Sequence, residues 1–138
     1  MTIALVLFLA ATLAGDASAE RIKGAAAQAD TTLIGIWKGE SLCQVKDSPC
    51  NDEKVVYKIA PAREPGKVNI KADKIVDGRP VTMGVSDWDY DKDKNTLTMV
   101  VPRGVWKLTI DGNKIDGTLT LDDMTIYRRM WLKKDDNR

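Results

Sequence analysis

Residues 96–121, TLTMVVPRGVWKLTIDGNKIDGTLTL, decide the fold class. Apolar and polar side chains alternate along this stretch, and a period of two residues is that of a β-strand with one buried face. Two turn signals, Pro102 to Gly104 and Asp111 to Asn113, divide it into three strands. Because these connections are too short for a crossover, we expect neighbouring strands to pair antiparallel.

The same alternation extends in both directions from this stretch, and no segment between the turn signals has helical periodicity. The predicted strands are 33–45, 53–60, 67–76, 81–90, 96–101, 105–110, 114–121 and 124–133. Eight antiparallel strands with one apolar face can close edge to edge, which removes both exposed edges. The sequence therefore predicts an all-β protein with an eight-stranded antiparallel up-and-down barrel. A two-sheet β-sandwich is the alternative.

The first residues have the pattern of a secretory signal. Residues 3–14 form an uncharged apolar run of 12, which is shorter than the roughly 20 residues that span a bilayer. The small residues Ala17-Ser18-Ala19 follow, as a signal peptidase requires. We expect a signal peptide over 1–19 and a periplasmic or secreted protein without a transmembrane span; an uncleaved membrane anchor is the alternative. The mature chain would have a flexible lead over 20–32, a barrel domain over 33–133 and a charged tail over 134–138.

Export determines how the two cysteines are interpreted. In an oxidising compartment, the isolated pair Cys43 and Cys50 is most simply a disulfide. The bridged residues end in turn formers, so the disulfide would close the mouth of a hairpin. A redox or metal role is the alternative, although both a C-x-x-C motif and a histidine partner are missing.

Composition excludes several classes of function. The net charge is +1, whereas a dedicated nucleic-acid binder needs a clustered basic surplus. The chain has no histidine, which excludes Ser-His-Asp and Cys-His catalysis and most zinc and copper sites. None of Ser41, Ser48 and Ser86 lies in a G-x-S-x-G motif. We therefore expect no enzyme activity, no metal site, no cofactor and no nucleic-acid partner.

Two short motifs carry a resemblance to a known superfamily. Gly35-Ile36-Trp37 opens the first predicted strand and Tyr127-Arg128 lies in the last, which resembles the calycins, a superfamily of lipocalins, fatty-acid-binding proteins and avidins. The resemblance implies that Trp37 closes the barrel floor and that Arg128 packs across it, with Arg129 as the adjacent candidate. Residues 41–53 also resemble a group of uncharacterised exported bacterial proteins with a C-x5-P-C-x-D-E signature.

The barrel interior is the first candidate site. Methionine and aromatic side chains there could adapt their shape to a small apolar ligand. The alternative is that the same side chains fill the core completely. The predicted lining residues are Tyr57, Met83, Met99, Trp106 and Met124.

Three other groups are candidates of lower specificity. Asp91, Asp93 and Asn95 match the start of a calcium-binding loop, but hairpin turns commonly have the same residue types. Asp52 and Glu53 are paired carboxylates, yet adjacent residues of a strand point to opposite faces. The exposed aromatic residues of the barrel could stack on sugars or contact a protein. These aromatic candidates are Trp88, Tyr90 and Trp131.

The sequence thus predicts an exported, non-catalytic protein that binds a small apolar or amphipathic molecule in the barrel mouth. The alternative is a protein-interaction module, such as a periplasmic or secreted inhibitor, that acts through the rigid disulfide loop at 43–50.

Overall fold

The structure is a computed structural model and describes residues 30–136. Eight strands form one closed barrel in which each strand is a hydrogen-bonded, antiparallel neighbour of the next and β1 pairs with β8. The strands are β1 (Gly35–Cys43), β2 (Glu53–Pro61), β3 (Lys67–Val76), β4 (Arg79–Asp91), β5 (Thr96–Val101), β6 (Gly104–Asp111), β7 (Lys114–Leu121) and β8 (Ile126–Lys134). The prediction of an eight-stranded up-and-down barrel is confirmed, and the sandwich alternative is wrong.

The two ends of the barrel differ. At the closed end, Leu33 is buried against the strands and its carbonyl accepts a hydrogen bond of 2.9 Å from Nε1 of Trp37. The turns at 62–66, 92–95 and 112–113 lie at this end. The open end has the loop at 44–52 and the turns at 77–78, 102–103 and 122–125. Residues 30–34 thus cover one end of the barrel.

Large side chains fill the closed end and the middle of the barrel. Trp37 is completely buried, and the inward-facing residues of the other strands pack around it. The largest fully buried side chains besides Trp37 are Leu33, Ile70, Leu97, Leu108, Ile115, Leu132, Val55 and Val68. A closed barrel of eight strands has just enough interior for such a set of side chains.

Two glycines allow strands to approach closely. A Cβ atom on Gly39 would lie 1.9 Å from the carbonyl oxygen of Trp131, and one on Gly117 would lie 2.3 Å from that of Lys107. No side chain is tolerated at such separations, so glycine is required on β1 and β7 for close backbone contact. At Gly84, by contrast, a Cβ atom would have no neighbour within 4 Å.

The predicted partner of Trp37 is wrong. Trp37 lies opposite Lys134 in the β1–β8 register, whereas Arg128 lies opposite Cys43. Six residues separate the two positions on β1, which is about 20 Å of strand. Arg128 therefore lies at the open end, and Arg129 faces outward opposite Leu42. The error arises because β8 continues through Lys134, a residue that the sequence analysis assigned to the tail.

The predicted disulfide is confirmed, with Cys43 and Cys50 bonded and their Cα atoms 5.8 Å apart. The bond is consistent with an oxidising, extracellular compartment. The predicted signal peptide at 1–19 and most of the lead at 20–32 lie outside the described residues. Residues 30–136 contain no helix with the length and hydropathy that a membrane span requires.

A β-bulge interrupts the pairing of β3 with β4. Ala72 lies opposite Gly84 and Asp73 lies opposite Thr82, which leaves Met83 without a cross-strand partner. Asp73 is buried there, and its Oδ1 accepts a hydrogen bond of 2.7 Å from the Thr82 hydroxyl. An extra residue on one strand bends that strand and reverses the face of the residues beyond it.

The contact between β4 and β5 is the shortest in the barrel. The two strands pair only over Asp89–Asp91 and Thr96–Thr98. Toward the open end, a side-chain contact bridges the two strands, since the Ser86 hydroxyl of β4 donates to Sδ of Met99 of β5 at 3.1 Å. The same hydroxyl accepts a hydrogen bond of 3.1 Å from Nε1 of Trp88 on its own strand. Met99 is thereby held beside the core.

Candidate functional site

A groove of about 570 Å³ opens at the mouth of the barrel. It lies between the β5–β6 turn and the β7–β8 turn, and backbone hydrogen bonding joins these turns, since the Asp122 amide donates to the Arg103 carbonyl at 3.0 Å. The lining residues are Val101, Pro102, Arg103, Leu119, Leu121, Asp122, Asp123 and Tyr127.

The inner wall of the groove is apolar. Val101 and Leu121 both lie opposite Gly104 in their registers, so the glycine contributes no side chain between them. A Cβ atom on Gly104 would lie 2.6 Å from the carbonyl oxygen of Thr120, so the close strand contact excludes a larger residue. Val101, Leu119 and Leu121 therefore supply the apolar side chains of this wall.

The rim of the groove is charged. Arg103 lies in the left-handed region with φ of 72° in the β5–β6 turn, and Asp122 and Asp123 of the β7–β8 turn also line the groove. The Thr125 backbone amide donates to Asp123 at 3.0 Å and holds the pKa of that carboxyl below its usual range. The groove thus combines an apolar wall with both signs of charge at its edge.

A polar network lies on the inner face of the same end. Nη1 of Arg128 lies 3.6 Å from Glu53 and donates to Oγ of Ser41 at 3.2 Å. Nζ of Lys74 lies 3.7 Å from the other oxygen of Glu53. This network of Arg128, Lys74 and Glu53 thus contains two cations and one carboxylate.

Tyr57 lies on the same inner face as Glu53, farther into the barrel, and is only 5% exposed. Burial raises the pKa of Tyr57 to about 12, an effect that Arg128 opposes and Glu53 reinforces. The phenol therefore stays protonated over the physiological range.

Of the five predicted lining residues, three lie in or against the core and two do not. Tyr57 is in the core, and Met99 and Trp106 are partly buried against it, facing each other across β5 and β6. Met83 and Met124 do not line the interior, since they are 44% and 79% exposed. Met83 is displaced by the bulge. Met124 has φ of 71° in the turn before β8, because β8 begins at Ile126 rather than at 124.

The residues that line the groove were not predicted from the sequence as a site. Leu119 and Leu121 were assigned to a strand but not to a site, although they end the alternating pattern just before Asp122-Asp123. An apolar pair at the end of a strand, beside a charged turn, is the signal that could have identified them. Arg103 and Tyr127 gave no comparable signal.

Two of the three weaker candidates consist of acidic side chains that form hydrogen bonds or ion pairs within the protein. Asp91 accepts hydrogen bonds from the backbone and side chain of Lys94, which lower its pKa, within the β4–β5 hairpin turn. Glu53 faces the interior, whereas Asp52 accepts a hydrogen bond of 2.7 Å from the Cys43 amide. Within the part of the chain that the structure describes, no group of three or more histidine, cysteine or acidic side chains is arranged to hold a metal ion.

No protein-family model matches this sequence, and no curated protein matches it either. The closed barrel of eight antiparallel strands is consistent with a calycin-like fold. Because one fold supports many functions, the groove and its residues carry the functional argument.

Proposed function

We propose that this chain is an exported, non-catalytic binding protein that holds a small amphipathic molecule at the open end of its barrel. The observation that carries the proposal is the groove at the mouth, whose apolar wall of Val101, Leu119 and Leu121 meets a charged rim at Arg103 and Asp122. An amphipathic molecule has the matching division between an apolar body and a polar end.

The size and position of the groove support this ligand class. A volume of about 570 Å³ lies within the range of roughly 300–1,000 Å³ that is typical of small-molecule sites. The core beneath is filled by side chains such as Leu97 and Leu108, so the ligand would lie in the mouth. Trp106 lies opposite Leu119 and would contact the end of the ligand that reaches deepest.

Two features support export. Residues 3–14 and the Ala17-Ser18-Ala19 sequence have the pattern of a signal peptide, and the Cys43–Cys50 disulfide fits an oxidising compartment. The Gly35-Ile36-Trp37 motif, with Trp37 buried in a closed barrel, supports a place among calycin-like proteins.

The first test is native mass spectrometry of the protein purified from its own host, with solvent extraction of any molecule that accompanies it. We expect a stoichiometric adduct that dissociates on activation and partitions as an amphipathic compound. A protein that is free of adducts and also fails the following binding test would contradict the proposal.

The second test uses anilinonaphthalene sulfonate, an amphipathic fluorescent probe, with two matched variants. Leu121→Gln places a polar group on the apolar wall and should weaken probe binding about tenfold or more. Val100→Gln makes a similar change at an outward-facing position that is 77% exposed, and should leave binding unchanged. Circular dichroism would verify that both variants fold. Equal probe affinity in the unmodified protein and both variants would exclude the groove as the binding site of the probe.

The disulfide loop supports a second candidate, a module that binds another protein. The loop is braced by the Cys43–Cys50 bond and by a hydrogen bond of 3.3 Å from the Ser48 hydroxyl to the Val45 carbonyl. Lys46 and Asp47 are exposed at its tip. A rigid exposed loop binds with little loss of conformational entropy. Inhibition of trypsin-like or subtilisin-like proteases that Lys46→Ala abolishes would favour this candidate; no inhibition of either class would exclude the inhibitor hypothesis.

A further inference from the structure

The outer face of β1, β8, β7 and β6 presents one large aromatic side chain to solvent. Trp131 is 45% exposed near the middle of this face. The other two aromatic residues that were considered as exposed candidates differ from it: Trp88 is buried inside the barrel, and Tyr90 packs against the core. Trp131 is therefore the one of the three that is available to an external ligand.

Polar side chains flank Trp131 on both neighbouring strands. Glu40 of β1 and Asp116 of β7 lie directly opposite Trp131 in their registers, and Thr109 of β6 lies opposite Asp116. Side chains in directly opposite positions have Cβ atoms about 4.5–5.5 Å apart. Glu40, Trp131, Asp116 and Thr109 thus form one row across four strands, which we call the Trp131 row.

A second row lies beside the Trp131 row, one step toward the open end. Arg129 lies opposite both Leu42 of β1 and Thr118 of β7. All residues of the two rows except Glu40 line a groove of about 360 Å³ on the outer wall of the barrel. Its lining residues are Leu42, Thr109, Asp116, Gly117, Thr118, Arg129, Met130 and Trp131.

The charged groups of this face have unused hydrogen-bonding capacity. Among residues 30–136, the side chains of Glu40, Asp116 and Arg129 form no ion pair or hydrogen bond with one another or with a third residue. They can therefore bind an external ligand without first breaking an internal contact. This arrangement presents acceptors at two carboxylates and donors at a guanidinium around one aromatic ring.

We propose that the Trp131 row, with Arg129 and Thr118, is a binding site for a neutral glycan whose pyranose ring stacks on the Trp131 indole. One face of a pyranose consists of C–H groups, which pack on the flat, electron-rich face of an indole. The hydroxyl groups at the ring edge can donate to Glu40 and Asp116 and accept from Arg129. Lys54, opposite Glu40, and Lys107, opposite Thr118, add further hydrogen-bond donors at the edge of this face.

This site is distinct from the groove at the mouth. Trp131 and Arg129 face outward on β8, whereas Arg128, which precedes them on the inner face, belongs to the network at the open end. Glycan binding on the outer wall would thus leave the mouth free for its own ligand. The two sites consist of different residues, so an experiment can disprove one of them without affecting the other.

The experiment is a titration of isotope-labelled protein with maltotriose, cellotriose and the trisaccharide of N-acetylglucosamine, followed through the indole N–H signals. The chain has four tryptophans, so four such signals are expected. At least one sugar should shift the Trp131 signal in a saturable manner and leave the buried Trp37 signal unchanged. The absence of a saturable Trp131 shift with all three sugars would overturn the proposal.

Variants on the outer face test the roles of the individual groups. Trp131→Ala should abolish binding of the sugar, and Trp131→Phe should restore part of it because a smaller aromatic face remains. The double variant Glu40→Gln, Asp116→Asn should weaken binding about fivefold or more, since amides accept hydrogen bonds less strongly than carboxylates. Ile36→Ala, a truncation of another exposed residue on β1, is the control and should bind normally. Sugar-induced shifts that persist unchanged in Trp131→Ala would contradict the stacking role.

Discussion

The Nζ atom of Lys134 lies 5.6 Å from the centroid of the Trp37 ring. Lys134 is also opposite Trp37 in the β1–β8 register, and its ammonium group donates a hydrogen bond to the Thr32 carbonyl. The last residue of the last strand therefore connects the first strand, the covering segment at 30–34 and the barrel core. The cation–π contact at the closed end is made by a lysine, whereas the resemblance to calycins implied an arginine.

Trp37→Ala tests the importance of this closed end. The variant removes a completely buried indole and its hydrogen bond to Leu33, so it should lower the free energy of unfolding by about 3–5 kcal/mol. Urea denaturation followed by circular dichroism would measure the loss. Trp131→Ala, which truncates the same residue type on the outer face, should change stability far less. A near-neutral Trp37→Ala would refute the assignment of Trp37 to the core.

Arg128→Met tests the polar network at the open end. The variant removes the hydrogen bond to Ser41 and leaves the partly buried Glu53 with only Lys74 nearby, so it should cost about 1–3 kcal/mol. Adding Glu53→Gln should recover part of this loss, because the carboxylate no longer needs its partner. Arg129→Met is the control, since Arg129 faces outward and its replacement should stay within about 0.5 kcal/mol. Equal effects at Arg128 and Arg129 would contradict the network.

The sequence was sufficient for the strands, their order and the disulfide, because these follow from local patterns. Each of these signals extends over only a few residues. They are the alternation around Leu97 and Leu108, the turn residues between the strands and the spacing of Cys43 and Cys50. The register between β1 and β8 was not predictable in this way. It depends on where β8 begins and ends, and a motif at Tyr127-Arg128 does not indicate that the strand continues to Lys134.

The inward or outward orientation of the predicted lining residues could be predicted only in part, for a related physical reason. Inward and outward faces follow from the period of two only while the pairing is regular. The unpaired Met83 at the bulge and the left-handed turn at Met124 interrupt that regularity, and neither has a clear sequence signal. Tyr57, Met99 and Trp106 lie within uninterrupted strands, and their inward orientation was predicted correctly.

Removing the disulfide should lower stability without changing the barrel. The bridge closes a short loop between residues seven apart, and the chain-entropy relation gives about 2.5 kcal/mol for such a loop. The double variant Cys43→Ser, Cys50→Ser should therefore unfold at lower urea concentration and keep its β-sheet circular dichroism, since the bridge is anchored at the end of β1 and residues 44–52 belong to no strand. Addition of a reductant to the unmodified protein is the matching control and should produce a similar shift. Loss of β-structure on reduction would mean that the loop is needed for the fold itself.

Tyr57 predicts a specific loss of stability in alkaline solution. Because the pKa of Tyr57 is raised to about 12 in the folded protein, the unfolded chain loses this proton first as the pH rises above about 10. The contribution of Tyr57 is therefore fully present below pH 10 and decreases between about pH 10 and 12, by about 2–3 kcal/mol in total. Denaturation at several pH values should show a smaller alkaline decrease for Tyr57→Phe than for the unmodified protein. Identical pH profiles would show that the phenol is not desolvated.

The two glycines Gly39 and Gly84 provide a matched test of the barrel geometry. Gly39→Ala would place a Cβ atom 1.9 Å from the Trp131 carbonyl oxygen, and that atom belongs to the backbone and cannot rotate away. β1 and β8 must then separate, so we expect a loss of about 1–3 kcal/mol or more. Gly84→Ala meets nothing within 4 Å and should be neutral or slightly stabilising, because it reduces the entropy of the unfolded chain. Thermal denaturation of both variants measures the difference, and a Gly39→Ala protein as stable as Gly84→Ala would contradict the close contact of β1 with β8.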